Sequence, residues 1–267
     1  MKTTSILFVL LSVMILGSEA QSIYVRAGFG AAICTAPHMV YQTVNIGSDK
    51  AEQTTEAKRG GLGSGLPIVA AAGYYFGDNF GVELGVDYFM GFPVKTVNNF
   101  NGVTLTYKEH GSMLALVPAL VMRINNDKIK PYARLGLMIG VLNSEKYMLT
   151  MSNDDEAYTN KDYGGISIGA QAALGAEFPL SDLISLFGEV NLDAISWAPK
   201  KGKVLKHSTN GSDDLSDLTT RQRTWLYEKK VDAAVNIPDS DPAKYPLINY
   251  SFTNVGLVVG VKINIGK

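Results

Sequence analysis

From position 80 the chain reads FGVELGVDYFM: Phe80, Val82, Leu84, Val86, Tyr88 and Met90 are large and apolar, and Gly81, Glu83, Gly85 and Asp87 between them are small or acidic. Alternation at period two predicts a β-strand with two unlike faces. The pattern recurs over Ile23–Cys34, Ile68–Tyr75, Leu114–Arg123, Ala133–Val141, Ile166–Glu177, Ile184–Asp193 and Asn254–Asn264, which makes eight predicted strands. Short turns at Gly77-Asp78-Asn79, 125–128 and 179–182 alternate with long connections near 36–64, 91–103, 143–163 and 197–249. An even number of strands, with short turns at one end and long loops at the other, predicts an all-β, eight-stranded antiparallel up-and-down barrel. Strands of about ten residues suit a tilted crossing of a bilayer.

The two faces decide between a membrane barrel and a soluble one. A soluble barrel would line its cavity with the apolar face and carry Lys, Glu and Thr on the other. Here the other face holds mainly Gly28, Gly30, Gly81, Gly85, Gly136, Gly140, Gly169, Gly175, Gly256 and Gly260. Strand glycine is costly unless space is short, and the interior of an eight-stranded barrel is only wide enough for side chains to fill it. Glycines are therefore expected inside and large apolar residues against lipid, in a transmembrane β-barrel. Tyr74, Tyr75, Phe76 and Phe80 at one end, and Tyr88, Phe89, Phe92, Trp197, Tyr250 and Phe252 at the other, are expected to form aromatic girdles.

Residues 1–20 read as a signal peptide, with Lys2, an apolar core from Ile6 to Leu16, and small residues before an expected cut after Ala20. Residues 21–267 are then one barrel domain. The longest later apolar run, Met113–Ile124, contains Pro118 and is too short for a spanning helix. One cysteine, Cys34, cannot form an internal disulfide. A net charge of −1 gives no basic field for nucleic acid.

With "FGVELGVDYF", "KPYARLGLMIG" and "GISIGAQAALGAEFPLSD", the chain resembles the small outer-membrane β-barrels of Gram-negative bacteria, a group that includes the transmembrane domain of outer-membrane protein A. The resemblance implies a cell outer-membrane, porin-like barrel with loops at the cell surface. The chain departs from many members in ending Ile263-Asn264-Ile265-Gly266-Lys267 where they end in an aromatic residue. It also shows no peptidoglycan-binding domain, so tethering is not implied.

Eight charges share the inward parity: Arg26, Glu83, Asp87, Arg134, Glu177, Glu189, Asp193 and Lys262. Buried charge is costly unless paired, so both signs together predict a network that fills the lumen in preference to an ion-selective pore. His110 and Ser112 project to one side of a strand, as a base and nucleophile would. Lipid A deacylases use such a His-x-Ser pair, but Glu109 has the wrong parity to orient His110. Asp154-Asp155-Glu156 and Asp213-Asp214 with Asp217 read as solvated acidic runs, so no metal or cofactor is expected. "RGGLGSG", 59–65, reads as a flexible loop end. Lys200, Lys201, Lys203 and Lys206, with Arg221 and Arg223, are candidates for lipopolysaccharide phosphates. "TRQRTWLYEKKVDAAV", 220–235, is expected either to prolong the last two strands or to form a short helix.

The reading favoured is a non-enzymatic barrel with a filled lumen. Its partners would be outer-membrane lipid and lipopolysaccharide, with an extracellular protein or glycan at the 197–249 loop. The alternatives are a lipid-modifying enzyme, a small porin and a soluble ligand-binding barrel.

Overall fold

In the computed structural model, residues 22–265 are described, except 37, 47–52, 101–102, 127, 152–155 and 233–236. The expected signal peptide lies outside the described residues. Eight strands form the barrel: β1 (Ser22–Cys34), β2 (Gly65–Tyr75), β3 (Phe80–Gly91), β4 (Val103–Arg123), β5 (Lys130–Met151), β6 (Ser167–Pro179), β7 (Ile184–Trp197) and β8 (Asn254–Asn264). Each pairs antiparallel with its chain neighbours, and β8 pairs with β1 through Arg26↔Lys262 and Gly30↔Val258, so the barrel closes with no free edge.

Parity sets the two surfaces. Leu84, Leu120, Leu135, Leu174, Leu257 and Val259 are exposed on the outside, while their sequence neighbours Glu83, Ala119, Arg134, Ala173 and Val258 are buried inside. An apolar exterior around a polar interior inverts a soluble protein and suits a hydrocarbon solvent. The inward glycines make room for inward aromatics. A Cβ on Gly175 would sit 2.6 Å from Tyr132 Cζ, one on Gly28 would sit 2.8 Å from Phe187 Cζ, and one on Gly73 would land on the ring of Tyr24.

Three expectations need correction. The girdles are half as populated as the sequence suggested: Phe76, Phe80, Tyr88 and Phe92 are exposed, whereas Tyr75, Phe89, Trp197 and Phe252 are buried inside. Clustering at strand ends locates an aromatic along the barrel axis, but parity alone decides which way it points.

The long connections are also not simple loops. β4 and β5 run for 21 and 22 residues, far beyond the apolar band, and carry an outer sheet onward through strands Ala157–Tyr163, Lys201–Thr209, Thr224–Glu228 and Ala243–Pro246. Val94–Phe100 pairs back onto β4, and His38–Ile46 pairs with Gln53–Gly60 as a separate hairpin. The segment at 220–235 begins with a single helical turn, Thr220–Arg223. A capping box from Thr219 and Gln222 starts it, and it gives way to Thr224–Glu228, which pairs with Lys201–Lys203 and not with β7 or β8. Residues 61–65 of "RGGLGSG" pack tightly where flexibility was expected: Leu62 is buried, and a Cβ on Gly63 would sit 2.5 Å from Thr253 O.

Leu84→Arg and Val259→Arg, on the outer face, are each expected to destabilise the barrel by roughly 2–4 kcal/mol if they lie near the bilayer midplane. Gly73→Ala should cost about 1–3 kcal/mol by displacing Tyr24. Gly85→Ala, whose Cβ would meet Val117 at an ordinary 3.4 Å, should be close to neutral. Gel-mobility shifts on heating and urea unfolding in detergent read all four variants.

Candidate functional site

Four inward charges, on β1, β3, β5 and β7, meet on the barrel axis with alternating sign. Arg26 grips Glu83 with two bonds, Nη2 to Oε1 and Nε to Oε2, both 2.9 Å, and reaches Glu189 Oε2 at 3.1 Å. Arg134 reaches Glu189 Oε1 at 2.8 Å and lies 3.7 Å from Glu83. Tyr24 donates to Glu83 (2.9 Å) and Tyr132 to Glu189 (2.7 Å), so both carboxylates are bonded on each oxygen. Strand parity puts the four side chains at one level because inward residues of alternate strands stack in layers. The bidentate Arg26–Glu83 pair is the geometry that compensates for removing both ions from water.

Toward the short turns, Lys262 bonds Glu177 and Tyr75 and lies 3.9 Å from the Tyr24 ring centre, while Arg123 covers the Tyr75 ring at 3.7 Å. Toward the long loops, Gln171 accepts from Arg134 and donates to Asp87 Oδ2 and Asp193 Oδ1, both at 2.9 Å. All eight inward charges named from the sequence are buried. Three cations (Arg26, Arg134, Lys262) face five carboxylates (Glu83, Asp87, Glu177, Glu189, Asp193), and the surplus pair, Asp87 and Asp193, is bridged by an amide. Gln171, Tyr24, Tyr75 and Tyr132 complete the network. The inward parity of Gln171 and Tyr24 was legible, but an uncharged residue gave no reason to be singled out, and Tyr75 was expected in the girdle.

Above the charges lies an apolar stopper of Phe89, Met113, Trp197, Phe252 and Leu62, all buried. Phe252 meets Phe89 edge to face at 6.2 Å, and Trp197 stacks on Tyr250 at 5.6 Å. Trp197 Nε1 donates 2.7 Å to Gly164 O, a carbonyl presented by the left-handed pair Gly164 and Gly165, with φ of 77° and 82°.

Beyond the stopper, outside the apolar band, the inner face of the outer sheet holds three carboxyls. Asp162 accepts from Trp225 Nε1 (2.9 Å), Tyr227 (2.8 Å) and Tyr250 (3.0 Å). Burial pushes Asp162 up in pKa against these bonds. Glu145 lies directly across the strand pair from Asp162. Burial, with Glu109 and Asp162 adding to it, pushes Glu145 up to about 8, and burial alone pushes Glu109 up to about 7. The structure therefore uses Trp225 and Tyr227 to cap an acidic pocket.

His110 and Ser112 face outward on β4 in a surface groove of about 530 Å³ with Tyr88, Met90, Phe92, Ser144, Lys146 and Lys161. Ser112 Oγ is bonded to Ser144 Oγ at 3.0 Å, not to His110. The residue across from His110 is Lys146, a cation, and burial followed by Lys146 holds the imidazole pKa down. Glu109 points to the opposite face. Of the acidic runs, Asp154 and Asp155 lie outside the described residues, and Glu156 bonds Tyr158 and His207. No group of three metal-ligating side chains is close enough to hold an ion among the described residues. Lys201 and Lys203 stand on the outer sheet; Arg221 and Arg223 stand on the helical turn that runs into Thr224, the residue across from Lys203.

A family model described as "Outer membrane protein beta-barrel domain" matches residues 8–216. Among solved structures the chain is similar to outer membrane protein OprG from Pseudomonas aeruginosa, at 14% identity over 94% of this chain and 99% of that one, with a TM-score of 0.46. It is similar to Neisserial surface protein A at 11% identity, over 92% of this chain and 100% of that one, with a TM-score of 0.37. It is similar to Ail of Yersinia pestis, solved with the heparin analogue sucrose octasulfate, at 9% identity over 92% and 97%, with a TM-score of 0.34. No curated protein matches the sequence.

Removing one member of the ring leaves uncompensated charge, so Glu83→Ala is expected to destabilise the folded barrel by about 3–5 kcal/mol in urea titrations. The outer sheet should respond to pH. Because folding raises Glu145 from 4.5 to about 8, its contribution is full below about pH 4.5 and is lost as pH rises toward 8. Proteolytic nicking of the outer sheet should therefore quicken between about pH 4.5 and 8 and level off above, and Glu145→Gln should flatten that rise.

Proposed function

The chain belongs to the outer membrane protein β-barrel domain family, and on that footing we propose that it is a non-conducting, non-enzymatic barrel of the cell outer membrane that works through its extracellular surface. The observation that carries the reading is the lumen filling. The Lys262–Glu177 pair, the Arg26–Glu83–Arg134–Glu189 ring, the Gln171 bridge and the aromatic stopper follow one another along the axis. An ion crossing would have to break charge-assisted bonds at successive levels. Selective pores instead line an open path with groups that bind weakly enough to release.

The enzyme alternative draws no support from His110 and Ser112. A hydrolytic pair needs a nucleophile bonded to its base and a third group that stabilises the base as it gains a proton. Here Ser112 is bonded to another serine and the base faces a lysine. Surface interaction is the role that remains for an ordered outer sheet, since binding residues concentrate on segments held out from a rigid scaffold. The 197–249 connection supplies three strands of that sheet, Lys201–Thr209, Thr224–Glu228 and Ala243–Pro246, and an extracellular protein or glycan is the proposed partner.

Purified protein in planar bilayers is expected to show no steady conductance; reproducible channels altered in selectivity by Glu83→Gln or Lys262→Gln would favour the porin reading. Purified protein should also release no acyl chains from lipid A. Release that Ser112→Ala eliminates would establish the enzyme instead. Excising 205–245 should leave the heat-dependent gel shift of the barrel intact, since these residues lie outside the eight barrel strands, while removing cell-surface binding.

A further inference from the structure

The outer sheet has one face with a single sign of charge. On the four adjacent strands β4, β5, Ala157–Tyr163 and Lys201–Thr209, the outward positions carry Lys108, Lys146, Lys161, Lys201, Lys203 and Lys206. The carboxylates of these strands, Glu109, Glu145 and Asp162, have inward parity. Among the described residues no ion pair holds any of the six lysines, in a chain whose net charge is −1. Cross-strand register sets His110, Lys146, Lys161 and Lys203 side by side in one row. Lys161, Lys201 and Lys203 also converge on the Tyr163 ring, with Nζ 5.9, 5.2 and 5.9 Å from its centre. Like charges directly opposite each other on a sheet repel. Such a row is stable when an anion lies across it.

The height of the row says which anion. The outward face changes in order along the strands: Tyr88, Leu114 and Leu142 form one cross-strand row, Met90, Ser112 and Ser144 the next, and His110, Lys146 and Lys161 the one after. From Leu142 to Lys146 is four residues, about 13 Å along a strand, and less in height because barrel strands are tilted. Apolar residues, then hydroxyls, then cations within that distance match acyl chains, then sugar hydroxyls, then phosphates. Tyr88, Met90 and Phe92 line one groove together with Ser112, Ser144, Lys146 and Lys161.

We infer that this face binds the phosphate groups of an acylated saccharolipid in the leaflet around the barrel, with the Lys146–Lys161–Lys203 row as the phosphate site and the Tyr88–Leu114–Leu142 row against its acyl chains. The inference rests on outer-membrane placement but on neither a closed lumen nor a loop-borne partner. Conductance measurements therefore leave it untouched, and its failure would leave those readings standing.

The test uses the whole mature barrel in nanodiscs of zwitterionic lipid, doped with diphosphorylated lipid A or with the same lipid A stripped of phosphate, and native mass spectrometry counts retained lipid. Diphosphorylated lipid A should be retained and the dephosphorylated form lost. Each lysine near an anionic surface is worth about fivefold, so Lys146→Gln, Lys161→Gln and Lys203→Gln together should weaken retention on the order of 100-fold. The heat-dependent gel shift verifies that the triple variant folds. Lys244→Gln, at a lysine paired with Glu228 at 2.9 Å, should leave retention unchanged. Equal retention of both lipids, or of lipid A by wild type and triple variant, would overturn the assignment. So would equal affinity for a soluble phosphorylated disaccharide without acyl chains, which would make this a site for free polyanions.

Discussion

Two arginines and two glutamates on the axis of a narrow barrel can remain there only as a closed ring. Eight strands enclose a space that side chains must fill, and no water layer remains to solvate a stray charge. Each arginine therefore bridges both glutamates, and each glutamate spends its remaining capacity on a tyrosine. Those tyrosines lie across the lumen because Gly73 and Gly175 open the space their rings occupy. Gly175, one of the glycines that first marked this chain as unusual, and Gly73 are thus the complement of the aromatic groups that bond the ring. The functional reading follows from the same ring, since a lumen committed to internal pairing has nothing left with which to pass ions.

The outer sheet applies the opposite rule on its two sides. Its inner face buries Glu145 and Asp162 beneath Trp225, Tyr227 and Tyr250, so the cap folds down on its own acids. Its outer face displays lysines that no ion pair holds among the described residues. One strand thickness separates them. This division lets a nearly neutral protein present a strongly cationic wall.

The barrel was legible because lipid and lumen impose contrasting demands on alternate residues. All eight segments showed the period, and Arg26, Glu83, Arg134 and Glu189 stood out as charges on an inward face. Beyond the apolar band the contrast vanishes, since Thr104, Leu105, Thr106 and Tyr107 are all half-buried whichever way they point. The extension of β4 and β5 was hidden for that reason. A bulge hides it further: Leu114 pairs with Leu142 but Ala115 with Gly140, so Val141 is an extra residue. Simple alternation carried past Val141 would turn Lys146 inward and Glu145 outward. Lys146 and Lys161 were consequently missed as companions of Lys201 and Lys203, since only the folded register brings those four strands together.

The position of the ring's four members along the chain bears on how the barrel is made. Arg26 comes from the first strand and Glu189 from the seventh, and the last strand closes the wall by pairing with the first, Tyr24 opposite Asn264. No shorter piece of the chain contains a balanced ring. A sheet of five strands would hold both arginines against a single glutamate, with its edges open. Pairings of such long sequence separation are slow to form because the whole intervening chain must be ordered first. Charge balance and edge closure thus arrive together, at the end. Assembly in the membrane is correspondingly a single late event, for which a half-built barrel offers no stable resting point.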